Sequence, residues 1–271
     1  MKVIKPSITF DTAVDGKAIL SKLERCARTC YQSHEKANGT PEKLIGSVIK
    51  RGHTSVLEHV QLTFYVVTDR GVSHEWVRHR IASYSQESTR YVKYGDGMEF
   101  IEPIELSPTD DGYLIWKYAC ANSAINYSKM IDLGYIPQVA RSVLNNSLKT
   151  EMCISMNLRS LRNFLDLRCD KAAHPHIKQI AIPLLLYLKE QIPVVFDDIE
   201  YDKEFYDRYL SDNRWREYVY NKDDVVYINM NNDPKTTDVS DTSSPGFYFI
   251  GDDKVYISDI HNMKPIIPYK K

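Results

Sequence analysis

Apolar and polar residues alternate from Val3 to Phe10, the period of a half-buried strand, and Asp11 ends the run. The period then lengthens. From about Lys17 to Tyr31, Ile19, Leu20, Leu23, Cys26, Ala27 and Cys30 share one helical stripe, where the two cysteines read as small core residues rather than a metal or redox pair. Thr40-Pro41-Glu42 opens a second helix with proline in its first turn, and Gly52 closes it. Ser55 and Glu58 have capping-box spacing for a short helix. Val60 to Thr68 alternates again as a strand, residues 72–82 read as helical around Val72, Trp76, Val77 and Ile81, and Ser83 to Arg90 reads as a polar loop.

Further on, Pro108 to Leu133 has a long helical pattern ended at Gly134, followed by a shorter one over Ile136 to Leu144. Thr150 to Met156 reads as a strand, and Leu158 to Arg168 and His176 to Gln191 as helices. This mixture predicts an α+β fold, a small mostly antiparallel sheet packed with several helices. The character changes after about Ser211. Asn231 to Gly246 is polar and linker-like, and Phe247 to Ile250 and Lys254 to Ile257 flank a Gly251-Asp252-Asp253 turn as a hairpin, with Val225 to Met230 a candidate third strand. The expected division is a main domain over 1–210 and a small β-rich C-terminal extension over 211–271.

The chain has 271 residues, long enough to bury a core without disulfide staples, and a formal net charge of -1. No overall field favours nucleic acid or an anionic membrane, so binding of phosphate must be local. Five scattered cysteines show no CxxC pair, which reads as reduced thiols. Residues 1–10 lack a basic segment followed by an apolar stretch, and the apolar run Ile180 to Leu188 is too short to span a bilayer. A cytoplasmic protein is expected.

The densest polar constellation runs from Arg78 to Tyr91. It holds three arginines, three serines, Thr89 and Gln86, with Glu87 as the only acidic residue. Guanidinium forks beside hydroxyls suit a phosphate oxyanion, while arginines capping carbonyls at a helix end would read the same way. A zinc helix fails because His74 and His79 are five apart, about 140° around a helix. His53 with His59, or His174 with His176, would need ligands from elsewhere, and no metal site is expected. Ser88 lacks a nucleophile elbow and lies beside Arg90, which stabilises anions rather than accepting protons, so it reads as a phosphate ligand. No Gly-rich phosphate loop occurs. A second cluster, Asn157 to Arg168, reads alone as a solvated helix whose Arg162 can pair with Asp166 at i+4.

Arg78-His79-Arg80 followed after seven residues by Ser88 resembles the signature of flavin-dependent thymidylate synthases. Gly52-His53-Thr54-Ser55-Val56-Leu57-Glu58-His59 upstream, and Ala140-Arg141 and Asn157-Leu158-Arg159-Ser160 through Asn163-Phe164-Leu165 to Arg168 downstream, resemble further family segments in family order. The similarity spans roughly residues 1–205 and leaves 211–271 without a counterpart.

This resemblance implies methylation of dUMP to thymidylate with methylenetetrahydrofolate as carbon donor, FAD as hydride carrier and NADPH as reductant, in a homotetramer that assembles each site from more than one subunit. It implies FAD contacts from His53, Ser55, Arg78, His79, Arg80, Gln86, Asn157, Arg159 and Asn163. Contacts to dUMP are implied from Glu75, Arg78, Gln86, Glu87, Ser88, Arg90, Arg141 and Arg168. Arg168 would be the catalytic residue, stabilising charge that develops on the pyrimidine. Two positions depart from the family pattern: Glu75 stands where glutamine is common, free to accept an N–H or to pair with Arg78 at i+3, and Gln86 stands where others have glutamate. A nucleic-acid module built on residues 78–90, and a relative that binds flavin and nucleotide without turnover, are the competing expectations. The near-zero net charge opposes the first, and the presence of Arg168, Ser88 and the Arg-His-Arg triplet opposes the second.

Overall fold

Strand β1 (Lys2–Ile4) and strand β2 (Ser7–Phe10) split the first alternating run, because Pro6 cannot donate to a ladder. The computed structural model describes residues 1–37, 39–94, 97–221, 247–250 and 253–256. Helix α1 (Gly16–Thr29) starts where Asp15 accepts from the Ala18 N–H at 3.0 Å. Gly16 is required there: a Cβ would lie 1.9 Å from the Gln191 carbonyl oxygen. Cys26 is half-buried and Cys30 is exposed at the helix end, so the apolar stripe stops a turn earlier than its pattern predicts. Helix α2 (Pro41–Lys50) closes at Gly52, whose φ of 75° favours glycine. A 3-10 helix, Thr54–His59, follows with no side-chain cap. The capping box is not formed, since Glu58 pairs with Arg159 at 2.6 Å.

Strand β3 (Gln61–Asp69) leads into helix α3 (Arg70–Trp76), then strand β4 (Ser83–Gln86) and strand β5 (Glu99–Ile101). Helix α4 (Asp111–Asp132), helix α5 (Pro137–Ala140) and the 3-10 turn Arg141–Val143 come before strand β6 (Lys149–Asn157). Helix α6 (Leu158–Arg168), helix α7 (Pro175–Gln191), helix α8 (Pro193–Phe196) and helix α9 (Lys203–Tyr209) lead to strand β7 (Val219–Asn221). The five-stranded sheet has the order β4-β6-β3-β2-β7, antiparallel except for β2 with β7, and β1 pairs with β5 in a small parallel sheet.

One sheet face, with Ile8, Phe10, Phe64, Val66, Met152 and Ile154, is fully buried and meets α7, where Ile180, Leu184 and Leu188 are buried too. Pro183 sits inside α7 among them. Buried Lys178 pairs with buried Asp202 at 2.8 Å, and Asp202 also accepts from the Phe205 N–H. The Asp202 carboxyl is held below the usual range: burial opposes ionisation, and Lys178 and that N–H outweigh it.

Residues 83–86, read as loop, are the edge strand β4, and α3 stops at Trp76 rather than reaching residue 82. Trp215, Tyr218 and Val219 are buried and β7 joins the sheet, so residues just past 211 belong to the first compact unit, Met1–Val225. The second unit, Val226–Lys271, contains strand β8 (Phe247–Ile250) paired antiparallel with strand β9 (Asp253–Tyr256), one residue earlier than the pattern predicts. The candidate strand 225–230 and the linker 231–246 lie outside the described residues.

Candidate functional site

Strands β3 and β6 pair antiparallel over their full length, Gln61 opposite Asn157 and Asp69 opposite Lys149. Each continues directly into a helix, capped in the same way. The Asp69 carboxylate accepts from the Val72 N–H at 2.7 Å, and the Asn157 amide oxygen accepts from the Ser160 N–H at 2.8 Å. The helices therefore leave from opposite ends of the strand pair, and their far ends meet. There Phe164 stacks on Trp76 with ring centroids 3.8 Å apart, and the His79 ring stands edge-on to Phe164 at 4.9 Å.

Arg168, the last residue of α6, closes this junction. Its Nε donates to His79 Nε2 at 3.0 Å and its Nη1 to Glu75 Oε2 at 2.8 Å, with Nη2 3.5 Å from the Glu75 carbonyl. Glu75 thus pairs with Arg168 rather than with Arg78. His79 is half-buried, and burial, then the Arg168 charge, push its pKa down to about 4, so the ring is neutral and able to accept the Nε–H. The Tyr84 hydroxyl bridges the Trp76 and His79 carbonyls at 2.8 and 2.7 Å and fixes the turn that ends α3.

Two neighbouring groups share this frame. At one, the 3-10 helix Thr54–His59 packs against α6 and the Glu58–Arg159 pair joins them, so the segment with His53 and Ser55 lies beside the helix that carries Arg159 and Asn163. At the other, Gln86 donates to Ser73 Oγ at 2.9 Å and to Thr150 Oγ1 at 3.2 Å, spending both amide hydrogens and leaving its Oε1 to accept. Arg141 then donates to Thr89 Oγ1 at 3.0 Å, and Arg90 Nε reaches Gln138 Oε1 at 3.4 Å. Ser88, Thr89, Arg90 and Arg141 therefore form one group. Among the described residues no hydrogen bond or ion pair joins that group to Arg168.

Glu87 is differently employed. Its carboxylate accepts from the Tyr94 hydroxyl at 2.6 Å and from Lys149 at 3.2 Å, beside a cavity of about 250 Å³ that none of the expected flavin residues lines. Burial works against the Lys149 ammonium, yet Glu87 and Glu151 outweigh it and hold its pKa above the ordinary lysine value. Ser88 Oγ accepts from the Arg90 N–H at 3.3 Å and has no imidazole or carboxylate partner among the described residues, so nothing there activates it as a nucleophile. Arg162 pairs with Asp198 through two 2.7 Å bonds instead of with Asp166. His174 and His176 face Glu75 and Asp69 at 3.7 and 3.4 Å, partners that local spacing does not reveal. The buried Cys169 thiol is pushed up by burial.

The donor set fits a flavin dinucleotide. Arg78 and Arg80 are exposed, and neither guanidinium has a hydrogen bond or ion pair to another described residue, which leaves two cations for a phosphate-bearing group.

Comparison with known proteins gives the same direction. A family model described as thymidylate synthase complementing protein matches residues 18–194. A flavin-dependent thymidylate synthase of Geobacter sulfurreducens is 36% identical over 181 residues, 64% of this chain and 78% of the relative. One of Mycobacteroides abscessus is 33% identical over 217 residues, 73% of this chain and 86% of the relative. Among solved structures, a UMP/dUMP methylase PolB from Streptomyces cacaoi, bound with 5-Br dUMP, resembles the chain with a TM-score of 0.60 at 21% identity, covering 77% of this chain and 98% of that one. That likeness concerns the fold.

Proposed function

The chain belongs to the flavin-dependent thymidylate synthase family, and from that premise we propose that it converts dUMP to thymidylate with methylenetetrahydrofolate as carbon donor. When bound, FAD would supply the hydride, with NADPH as its reductant. His53, Ser55, Arg78, His79, Arg80, Gln86, Asn157, Arg159 and Asn163 hold the flavin. Arg78, Gln86, Glu87, Ser88, Arg90, Arg141 and Arg168 hold the nucleotide, with Glu75 at the Arg168 end. Ser88, Arg90 and Arg141 supply the donors for its phosphate.

The observation that carries this reading is the Arg168 junction. C5 of the uracil is a nucleophile toward the one-carbon unit when the ring has enolate character, with negative charge shared between C5 and O4. A guanidinium already fixed on Glu75 and His79 stabilises that charge without reorganising. It acts as a charge and a donor, because arginine does not give up its proton. That no hydrogen bond or ion pair joins the Ser88 group to Arg168 among the described residues is in keeping with a site completed by a second copy, in a homotetramer.

The deciding experiment is a visible absorption spectrum of the purified chain, followed by dUMP. A flavin band that shifts on addition of dUMP supports one shared site. A protein that stays colourless after incubation with FAD overturns the reading.

A further inference from the structure

We propose that Glu75 is the positioning residue of Arg168, a role that rests on the function proposed above. Helix α3 is short, and both of its ends are tied to the start of α7. Asp69, which caps α3 through one oxygen, presents the other to His176 Nδ1 at 3.4 Å. Glu75, in the last turn, presents Oε1 to His174 Nδ1 at 3.7 Å, and the two histidine rings meet edge-on at 4.8 Å. His174 thus stands behind the carboxylate, whose Oε2 faces Arg168.

All three guanidinium nitrogens lie within hydrogen-bond reach of residue 75 or residue 79. Nη1 and Nη2 each keep a second N–H, so two donors remain for a ligand while the plane of the group is fixed. The side chains of Arg168 and Glu75 are 23% and 27% exposed, which screens the pair less than a surface ion pair. Glu75 also replaces the neutral amide common at this position with a charge. That charge is taken up by Arg168 and kept off the nucleotide.

The test uses the full chain, 15N-labelled, with no ligand added. The Nε–H signal of Arg168, assigned by its disappearance in Arg168→Lys, is expected to be resolved and slow to exchange in the wild type. It should merge with solvent-exchanging arginines in Glu75→Ala and persist in Glu75→Gln, whose amide oxygen still accepts from Nη1. In turnover with FAD, NADPH, methylenetetrahydrofolate and dUMP, Glu75→Ala should lower kcat by about 100-fold with KM for dUMP within about threefold, the cost of a misplaced catalytic group. Glu75→Gln should recover at least about tenfold of that loss. A Glu75→Ala chain with an unchanged Nε–H signal and kcat within about twofold overturns the proposal. If the wild type shows no dUMP turnover, the function proposed above fails, and the Nε–H signal alone decides the positioning role.

Discussion

Arg168 and Ser88 are both expected to touch the nucleotide, yet their surroundings are built in opposite ways. Every guanidinium nitrogen of Arg168 meets residue 75 or 79, and His79 leans on a fully buried phenylalanine. The Ser88 hydroxyl accepts one N–H, and among the described residues the arginines beside it hydrogen-bond to Thr89 and Gln138. The difference fits the role proposed for each. A group that stabilises charge in a transition state gains from being fixed beforehand, whereas a phosphate is itself a strong ligand that draws donors around it.

Substitutions can break this contrast. Arg168→Ala should lower single-turnover thymidylate formation by about a thousandfold while the flavin band is retained, because a preorganised charge is removed and no cofactor contact goes with it. A loss of under about tenfold would mean that the fixed junction is scaffolding. Ser88→Ala should weaken dUMP binding by about tenfold, the worth of one hydrogen bond to a charged group, with measurable turnover at saturating nucleotide. Titration calorimetry reads that directly. If dUMP still binds and all turnover is lost, Ser88 is a nucleophile and the contrast fails.

The smallest effect concerns acid stability. With the His79 pKa lowered from 6.5 to about 4 in the folded chain, the unfolded chain binds a proton that the folded one refuses between those values. This contribution is complete above pH 6.5 and is lost as pH falls toward 4. His79→Gln should flatten the acid limb of a plot of Tm against pH. An unchanged limb would mean that the ring is not held neutral against Arg168.

Much of this was legible in the residues themselves. β3 and β6 show in their alternation, and the caps Asp69 and Asn157 stand where the strand pattern yields to a helical one. β4 does not, because in Ser83-Tyr84-Ser85-Gln86 only Tyr84 is apolar, and an edge strand is defined by the neighbour it pairs with. The early end of α3 has the same cause: the Tyr84 hydroxyl that fixes the turn is a tertiary partner. For Glu75, local spacing offers Arg78, but the partner it takes lies 93 positions away and is reached only once two helices from opposite ends of a strand pair converge. Family resemblance named the residues at this site, and the fold shows which of them depend on one another.

The aromatic side chains behind His79 form a continuous column, from Phe10 to Phe64 at 5.6 Å, to Trp76 at 6.0 Å, to Phe164 at 3.8 Å and then to the imidazole. Its first two members belong to the central strands, so the Arg168 end cannot open without separating rings that hold the sheet to its helices. Heat is therefore expected to remove the chemistry and the fold together, and amide protons around residue 76 should exchange only as the unit unfolds.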